Sequence, residues 1–269
     1  MGKRTTYAIV TGGGSGIGLR YADQLAGCYG YNLLLVSNRP AELEDAALRF
    51  RNDYAVDVLT LTLDLSDSAA AETLFRFAEE NNLDVEVLVN NAGMLVFDLF
   101  NRVEMSRLET LLGLHIVTTC LLCRLFGEQM AKRGKGYILN MASMTAWTAL
   151  PTIQTYNATK NFVLQFSRSL WYELMPQGVH VLAVCPGSTN TGLLPFPPKW
   201  ARLLLRMGIT MEPETLARGA LKRLLKTKQK VYLPGLWNYI AVPVLKHLPD
   251  RLVFFVLRKL MGVSPTTPC

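Results

Sequence analysis

Tyr156 and Lys160 stand four positions apart in "IQTYNATKNF", residues 153–162. On a helix, residues at that spacing are surface neighbours. A phenol has an ordinary pKa of about 10, and a neighbouring ammonium favours the phenolate. Lys160 would thus bring Tyr156 toward the range in which a side chain moves protons near neutrality. Taken alone, the same two residues also fit a solvated tyrosine and a solvated lysine. A second signature lies at "TGGGSGIG", Thr11 to Gly18. Thr11, Gly12, Gly16 and Gly18 follow a T-G-x-x-x-G-x-G pattern, and Gly14, Ser15 and Ile17 lie within the same candidate cofactor loop. Glycines there allow a tight turn and close approach of a pyrophosphate, whose charge sits at a helix N-terminus. The motif has weight because an apolar strand precedes it and a helical pattern follows.

The elements that must carry these residues alternate along the chain. Apolar β-rich runs fall at 6–10, 31–37, 56–63, 86–90, 136–142, 179–185 and 230–234. Helical patterns fall near 16–29, 41–53, 67–81, 103–133, 155–175 and 212–226. Strands apolar on every residue and separated by helices predict one doubly wound α/β domain, with a parallel sheet covered on both faces. Ligands on such a sheet bind beyond the carboxyl ends of the strands, where strand order reverses. The second strand selects the nucleotide. An NAD site places an acid about 20 residues past the glycines. Here Ser37 occupies that position and Arg39 follows. A guanidinium binds a 2′-phosphate that a carboxylate would repel, so NADP(H) is expected over NAD(H).

The chain has 269 residues, half of them apolar and 18% charged, which suits a single domain over 1–269. The N-terminal apolar run is too short for a signal-peptide core, so cytoplasmic residence is expected. Five cysteines lack a disulfide framework, and Cys120 and Cys123 lie within an apolar helical pattern as small core residues. No metal set is expected. The charge is uneven: residues 196–269 hold 13 Lys/Arg against three Asp/Glu, and residues 1–195 hold 15 against 18. The basic surplus of the whole chain therefore belongs to its C-terminal quarter.

With "TGGGSGIG", "DL" at 64–65, "NNAG" at 90–93, Ser143, "YNATK" at 156–160 and "PGSTNT" at 186–191 in order, the chain resembles the short-chain dehydrogenase/reductase family, in particular its acyl and steroid ketoreductases. The resemblance implies a Rossmann-like sheet and a catalytic Ser143, Tyr156 and Lys160. It implies that Ser143 hydrogen-bonds the substrate oxygen, Tyr156 exchanges the proton, and Lys160 also holds the nicotinamide ribose. It further implies that Asp64 and Leu65 meet the adenine and that Asn91, Ala92 and Gly93 line the adenosine side. Pro186, Gly187 and Thr189 would lie near the nicotinamide, with Thr191 reaching its amide or phosphate. One position departs. The family usually has an asparagine in a long helix, holding a water that passes protons to the lysine; here that site falls on His115. An imidazole can join such a relay, or it can be a satisfied core histidine.

The segment 192–211 occupies the place of the family's substrate lid, and its Leu, Phe, Trp and Met suit a bulky apolar substrate. Beyond it, 236–269 is an apolar and basic helical extension, with Asp250 as the start of a helix ending near Gly262. Its stretches are too short to cross a bilayer. A peripheral membrane contact through 236–262, a second subunit in a homo-oligomer, and the chain's own core all fit its apolar character. The function expected is hydride transfer between NADP(H) and a ketone or secondary alcohol of a 3-oxoacyl or steroid-like molecule. The alternative is a non-catalytic NADP-binding sensor or scaffold. The basic residues accompany apolar helices rather than exposed aromatics in a stripe, so nucleic acid is not an expected partner.

Overall fold

Seven parallel strands form one sheet in the computed structural model, which describes residues 6–187, 189 and 210–261, without the side chains of 245 and 256–261. The strands are β1 Tyr7–Thr11, β2 Asn32–Ser37, β3 Val58–Thr62, β4 Val85–Asn90, β5 Gly136–Met141, β6 Val179–Val184 and β7 Val231–Tyr232. Their order is β3-β2-β1-β4-β5-β6-β7. The chain winds outward from β1 to β3 and then crosses to β4, so strand order reverses between β1 and β4. Every residue of β4 and of β6 is buried, as a sheet covered on both faces requires.

Neighbouring residues on one strand serve opposite layers, because side chains alternate across a strand. Val10, Leu35, Val89 and Leu182 pack with helices α1 Gly16–Gly27 and α2 Pro40–Asp53 and with α7 Pro213–Lys226. Ile9, Leu34, Leu88 and Val181 face α3 Ala70–Glu80, α5 Thr119–Lys132 and α6 Gln154–Leu174. Proline opens α2 and α7, where its missing N–H costs no helical hydrogen bond.

The expected 103–133 helix is α4 Met105–Leu112, a π-helical segment Gly113–Thr118, and α5 without interruption. Among the described residues, this 28-residue run is long and apolar enough by length and composition to cross a membrane. It packs against β4, β5 and α3, which is the position of a core helix. Cys123 on α5 is buried and its thiol is pushed up to about 12 by burial; all four described cysteines are free.

After β7 come α8 Leu236–Lys246, with Pro243 inside it, and α9 Asp250–Met261. α8 begins where the expected helical extension does, at Leu236. Of the α9 side chains that are described, Leu252, Phe254 and Phe255 are exposed rather than packed in the core. The expected lid lies outside the described residues except for Thr210 and Met211. Met211 pairs with Thr189 in a parallel bridge and packs on the α1–α7 layer.

Candidate active site

The carboxyl ends of β1, β4, β5 and β6 bring the expected residues to one edge of the sheet. At β1, the Thr11 hydroxyl donates to the Val89 carbonyl (3.2 Å) and accepts from the N–H groups of Asn91 (2.9 Å) and Ala92 (3.0 Å). The Asn91 amide donates to the Thr11 carbonyl at 3.0 Å. Asn91, expected on the adenosine side, thus uses its amide to tie the β4 loop to the glycine loop. A Cβ on Gly18 would collide with the Gly12 carbonyl and the Asn91 amide. Gly12 and Gly16 have φ of +64° and +55°, a conformation natural to glycine. Ser15, at the N-cap of α1, makes no side-chain hydrogen bond to the helix. The first-turn N–H groups of Gly16, Ile17 and Gly18 therefore lack a capping side chain, and no acid stands in that turn. This cradle fits a nucleotide pyrophosphate.

Along the second strand, Ser37 accepts from the Arg39 N–H at 3.3 Å. Arg39 itself is not a free guanidinium: it pairs with Glu42 at 2.8 Å. Glu42 also bonds Ser15, and Arg39 and Ser15 together hold its carboxyl below the usual range. A Cβ on Gly14 would sit tightly against Glu42, 3.0–3.1 Å from its nearest atoms. Sequence reading missed Glu42, although its spacing from Arg39, three residues within one helix start, is a legible pairing signal. Asp64 accepts from both the N–H (2.9 Å) and the hydroxyl (2.7 Å) of Ser66, and Leu65 is buried with its carbonyl bonded to Thr118.

The expected catalytic residues do converge. Ser143 follows β5 and caps the 3-10 turn Met144–Trp147. Its hydroxyl oxygen accepts from the Thr145 N–H (3.2 Å) and from the Thr145 hydroxyl (3.0 Å), which leaves its own proton to donate. Thr145 was not anticipated; a hydroxyl two residues past a turn serine is the pattern that carries it. Asn157 and Asn161 on α6 donate to the carbonyls of Leu150 and Ala146 at 2.9 and 2.6 Å, which clamps this turn to the helix bearing Tyr156.

The electrostatics differ from the expected pairing. Tyr156 is half-buried, and burial raises its phenol above the usual value; a hydrogen bond with Ser143 acts in the opposite direction. Lys160 is buried, and burial pushes it down to about 8. Its ammonium donates to the Met141 carbonyl at 2.8 Å and lies 5.6 Å from the Tyr156 ring centroid. Helical spacing places the two side chains together, but one donor of the ammonium goes to a backbone oxygen, and desolvation decides the phenol's direction.

His115 projects from the π-helical segment and is buried. Nε2 accepts from the Met94 N–H at 3.1 Å, which assigns the ring proton to Nδ1, 2.9 Å from the Thr159 hydroxyl. Thr159 in turn donates to the Tyr156 carbonyl at 2.9 Å. Both ring nitrogens are thereby engaged. Burial, with Lys160 nearby, drops its pKa well below the usual 6.5. The Gly93 position lies against the His115 ring and the Lys160 ammonium, so a side chain there would meet both.

On the other side of the cleft, the Pro186 carbonyl accepts from the Met144 N–H at 2.8 Å, and Thr189 donates to the Gly187 carbonyl at 3.4 Å. Gly187 packs on the buried Asn238 of α8 and has no space for a Cβ. Thr191 lies outside the described residues.

Residues 6–200 match the family model described as short chain dehydrogenase. A very-long-chain 3-oxoacyl-CoA reductase of Phaeosphaeria nodorum is 32% identical over 188 residues, covering 68% of this chain and 55% of that protein. The chain thus spans little more than half of that relative. The human protein of the same name is 29% identical over 273 residues, covering 97% of this chain and 80% of its own length. Among solved structures, a Sphingobium yanoikuyae short-chain dehydrogenase in complex with NADPH superposes with a TM-score of 0.76, at 27% identity and 98% coverage of both chains. A bulky-bulky ketone specific alcohol dehydrogenase from Comamonas testosteroni gives 0.75 at 26% identity, covering 98% of this chain and 97% of that one. A glycine cradle on β1, a reversal of strand order beside it and a match over most of the length converge on one assignment: the chain belongs to the short-chain dehydrogenase family.

Proposed function

We propose that the chain is an NADP(H)-dependent oxidoreductase acting on the ketone or secondary alcohol of a bulky apolar molecule, 3-oxoacyl or steroid-like in shape. The observation that carries this is the convergence of Ser143, Tyr156 and Lys160 beyond β5, beside the glycine cradle. The relatives named as 3-oxoacyl-CoA reductases and the bulky-ketone neighbour support the substrate class.

When bound, the nicotinamide supplies or accepts the hydride at its C4. The residues of the chain do the rest. Thr145 fixes the Ser143 hydroxyl so that its proton points to the cleft, where it holds the substrate oxygen. Tyr156, kept protonated at neutral pH by burial, gives its proton to that oxygen as the carbonyl carbon is reduced. The raised phenol therefore favours the reducing direction near neutrality, and the reverse oxidation needs the phenolate. Lys160 supplies a buried positive charge beside the ring. The glycine loop holds the pyrophosphate. Arg39 engages the 2′-phosphate once it exchanges Glu42 for that stronger anion, and the NADPH-bound neighbour supports this nucleotide.

Tyr156→Phe is expected to lower NADPH oxidation with a bulky aromatic ketone by about a hundredfold or more, the usual contribution of a positioned acid. The wild-type reduction rate should stay level through neutrality and fall at higher pH, first as Lys160 loses its proton at about 8 and then as the raised phenol ionises. Unchanged turnover in the variant would remove Tyr156 as the acid, and tighter binding of NADH than NADPH would remove Arg39 as the selector.

A further inference from the structure

Helix α8 is amphipathic in the inverted sense. Leu236, Tyr239, Ile240, Pro243 and Val244 recur at the i, i+3, i+4, i+7, i+8 spacing of one helix face, and that face is exposed; Leu236 is 78% exposed and Val244 59%. Asn238, a polar residue, points inward and is buried against Gly187. The next helix adds exposed apolar side chains: Phe254 and Phe255 are 65% and 61% exposed. Lys246 and Arg251 flank the two helices and are exposed. Within 236–261 the sequence holds four Lys/Arg against one acid, Asp250.

We propose that α8 and α9 dock in the plane of an anionic phospholipid surface. At 11 and 12 residues, neither helix can cross a bilayer, which takes about 20. α8 has the outward apolar face of a helix that lies in the interface, α9 adds the exposed Leu252, Phe254 and Phe255, and Lys246 and Arg251 supply cations where the two helices meet. Trp237 and Tyr239, half or more exposed, are the residue types that settle at headgroup depth. Charge separates this occupant from a second copy of the chain. A two-fold contact sets a patch against itself, so Lys246 and Arg251 would meet their own kind with only Asp250 to offset them. An anionic lipid surface complements the same patch. The helix that carries the docked face lies beside the cleft, because its opposite, inward side packs on the Met144–Trp147 turn that follows Ser143 and its Asn238 abuts Gly187. A bulky apolar substrate would then enter from the bilayer; that consequence rests on the reductase reading, whereas the docking does not.

The test is flotation of the full chain with vesicles of phosphatidylcholine alone and of phosphatidylcholine with phosphatidylglycerol. The chain should float with the anionic vesicles, less so as salt rises, and not with the neutral ones. An Ile240→Glu, Phe255→Glu double variant should bind at least about tenfold more weakly, since two large side chains leave the apolar phase. Lys246→Glu or Arg251→Glu should each weaken binding about fivefold or more. Both sites are on the surface, so unfolding midpoint and turnover of a water-soluble ketone should match wild type in every variant; a variant that keeps both yet floats like wild type overturns the proposal. So does wild-type protein that stays unbound with anionic vesicles. A dimer that the double variant splits, without any flotation, assigns the face to a second copy instead. Failure of turnover with normal flotation overturns only the reductase reading.

Discussion

Each nitrogen of the His115 ring has a partner. Nε2 holds the Met94 N–H and Nδ1 faces the Thr159 hydroxyl, so the neutral ring bridges the loop after β4 to the helix carrying Tyr156. Both bonds fit the reading of a satisfied core histidine, and we propose that the ring ties the loop to the helix rather than relaying protons. A proton has nowhere to go without breaking one of these bonds beside the Lys160 ammonium. The sign of the resulting pH dependence follows. The folded pKa lies well below 6.5, while the unfolded chain titrates near its ordinary value. Below about pH 6.5 the unfolded state binds the proton and the native state does not, so stability falls by up to about 1.4 kcal/mol per pH unit until the native ring titrates. Urea midpoints at pH 7.5 and 5.5 should therefore separate further in wild type than in His115→Gln. Equal losses in the two proteins would show that the ring takes up its proton in the folded state.

At the scale of elements, the glycine loop is held by two different physical demands. Gly16 has a positive φ and open space where a side chain would stand. Gly18 has no such conformation, but it lies against the Gly12 carbonyl and the Asn91 amide. Gly16→Ala should cost about 1–2 kcal/mol of backbone strain and leave the cradle in place. Gly18→Ala forces backbone apart, at about 1–3 kcal/mol, and should also weaken NADPH binding. Urea unfolding with a parallel nucleotide fluorescence titration distinguishes them; wild-type affinity in Gly18→Ala would mean that the loop is not the pyrophosphate cradle. The π-helical segment of the 105–132 run shows how an element departs from its pattern for a local reason. Its first residue, Gly113, presses on the Ser66 carbonyl and Thr118 bonds the Leu65 carbonyl, so the helix is seated on the β3–α3 loop at the turn that bears His115. Apolar periodicity predicted a continuous helix there and carries no mark of the wider turn.

For the whole molecule, stability resides in the two layers on the sheet and not in the C-terminal helices. Leu34 is fully buried in the α3–α5 layer, and Leu34→Ala should lower the unfolding free energy by about 2–5 kcal/mol. Phe254→Ala, at a mostly exposed position, should change it by less than about 0.5 kcal/mol in denaturant melts without lipid. A large loss at Phe254 would place α9 in the core. The seven strands and the helices between them were legible because burial on both faces makes parallel strands apolar at every residue, a period that residue types alone record. The chemical residues were legible for the same local reason: a glycine loop between strand and helix and a Tyr–Lys pair on one helical face are short-range patterns. What the amino-acid sequence determined by itself was thus the parallel doubly wound sheet and the glycine loop at the end of β1; it also marked Tyr156 and Lys160 as helical neighbours, while Ser143 came from the family resemblance. Only the tertiary structure decided that Arg39 is held by Glu42, that Tyr156 is raised rather than lowered, that His115 is fully bonded and that α8 turns its apolar face outward. Each of those depends on which distant group is near and how much water is excluded, and neither quantity is written in the spacing of residues along a chain.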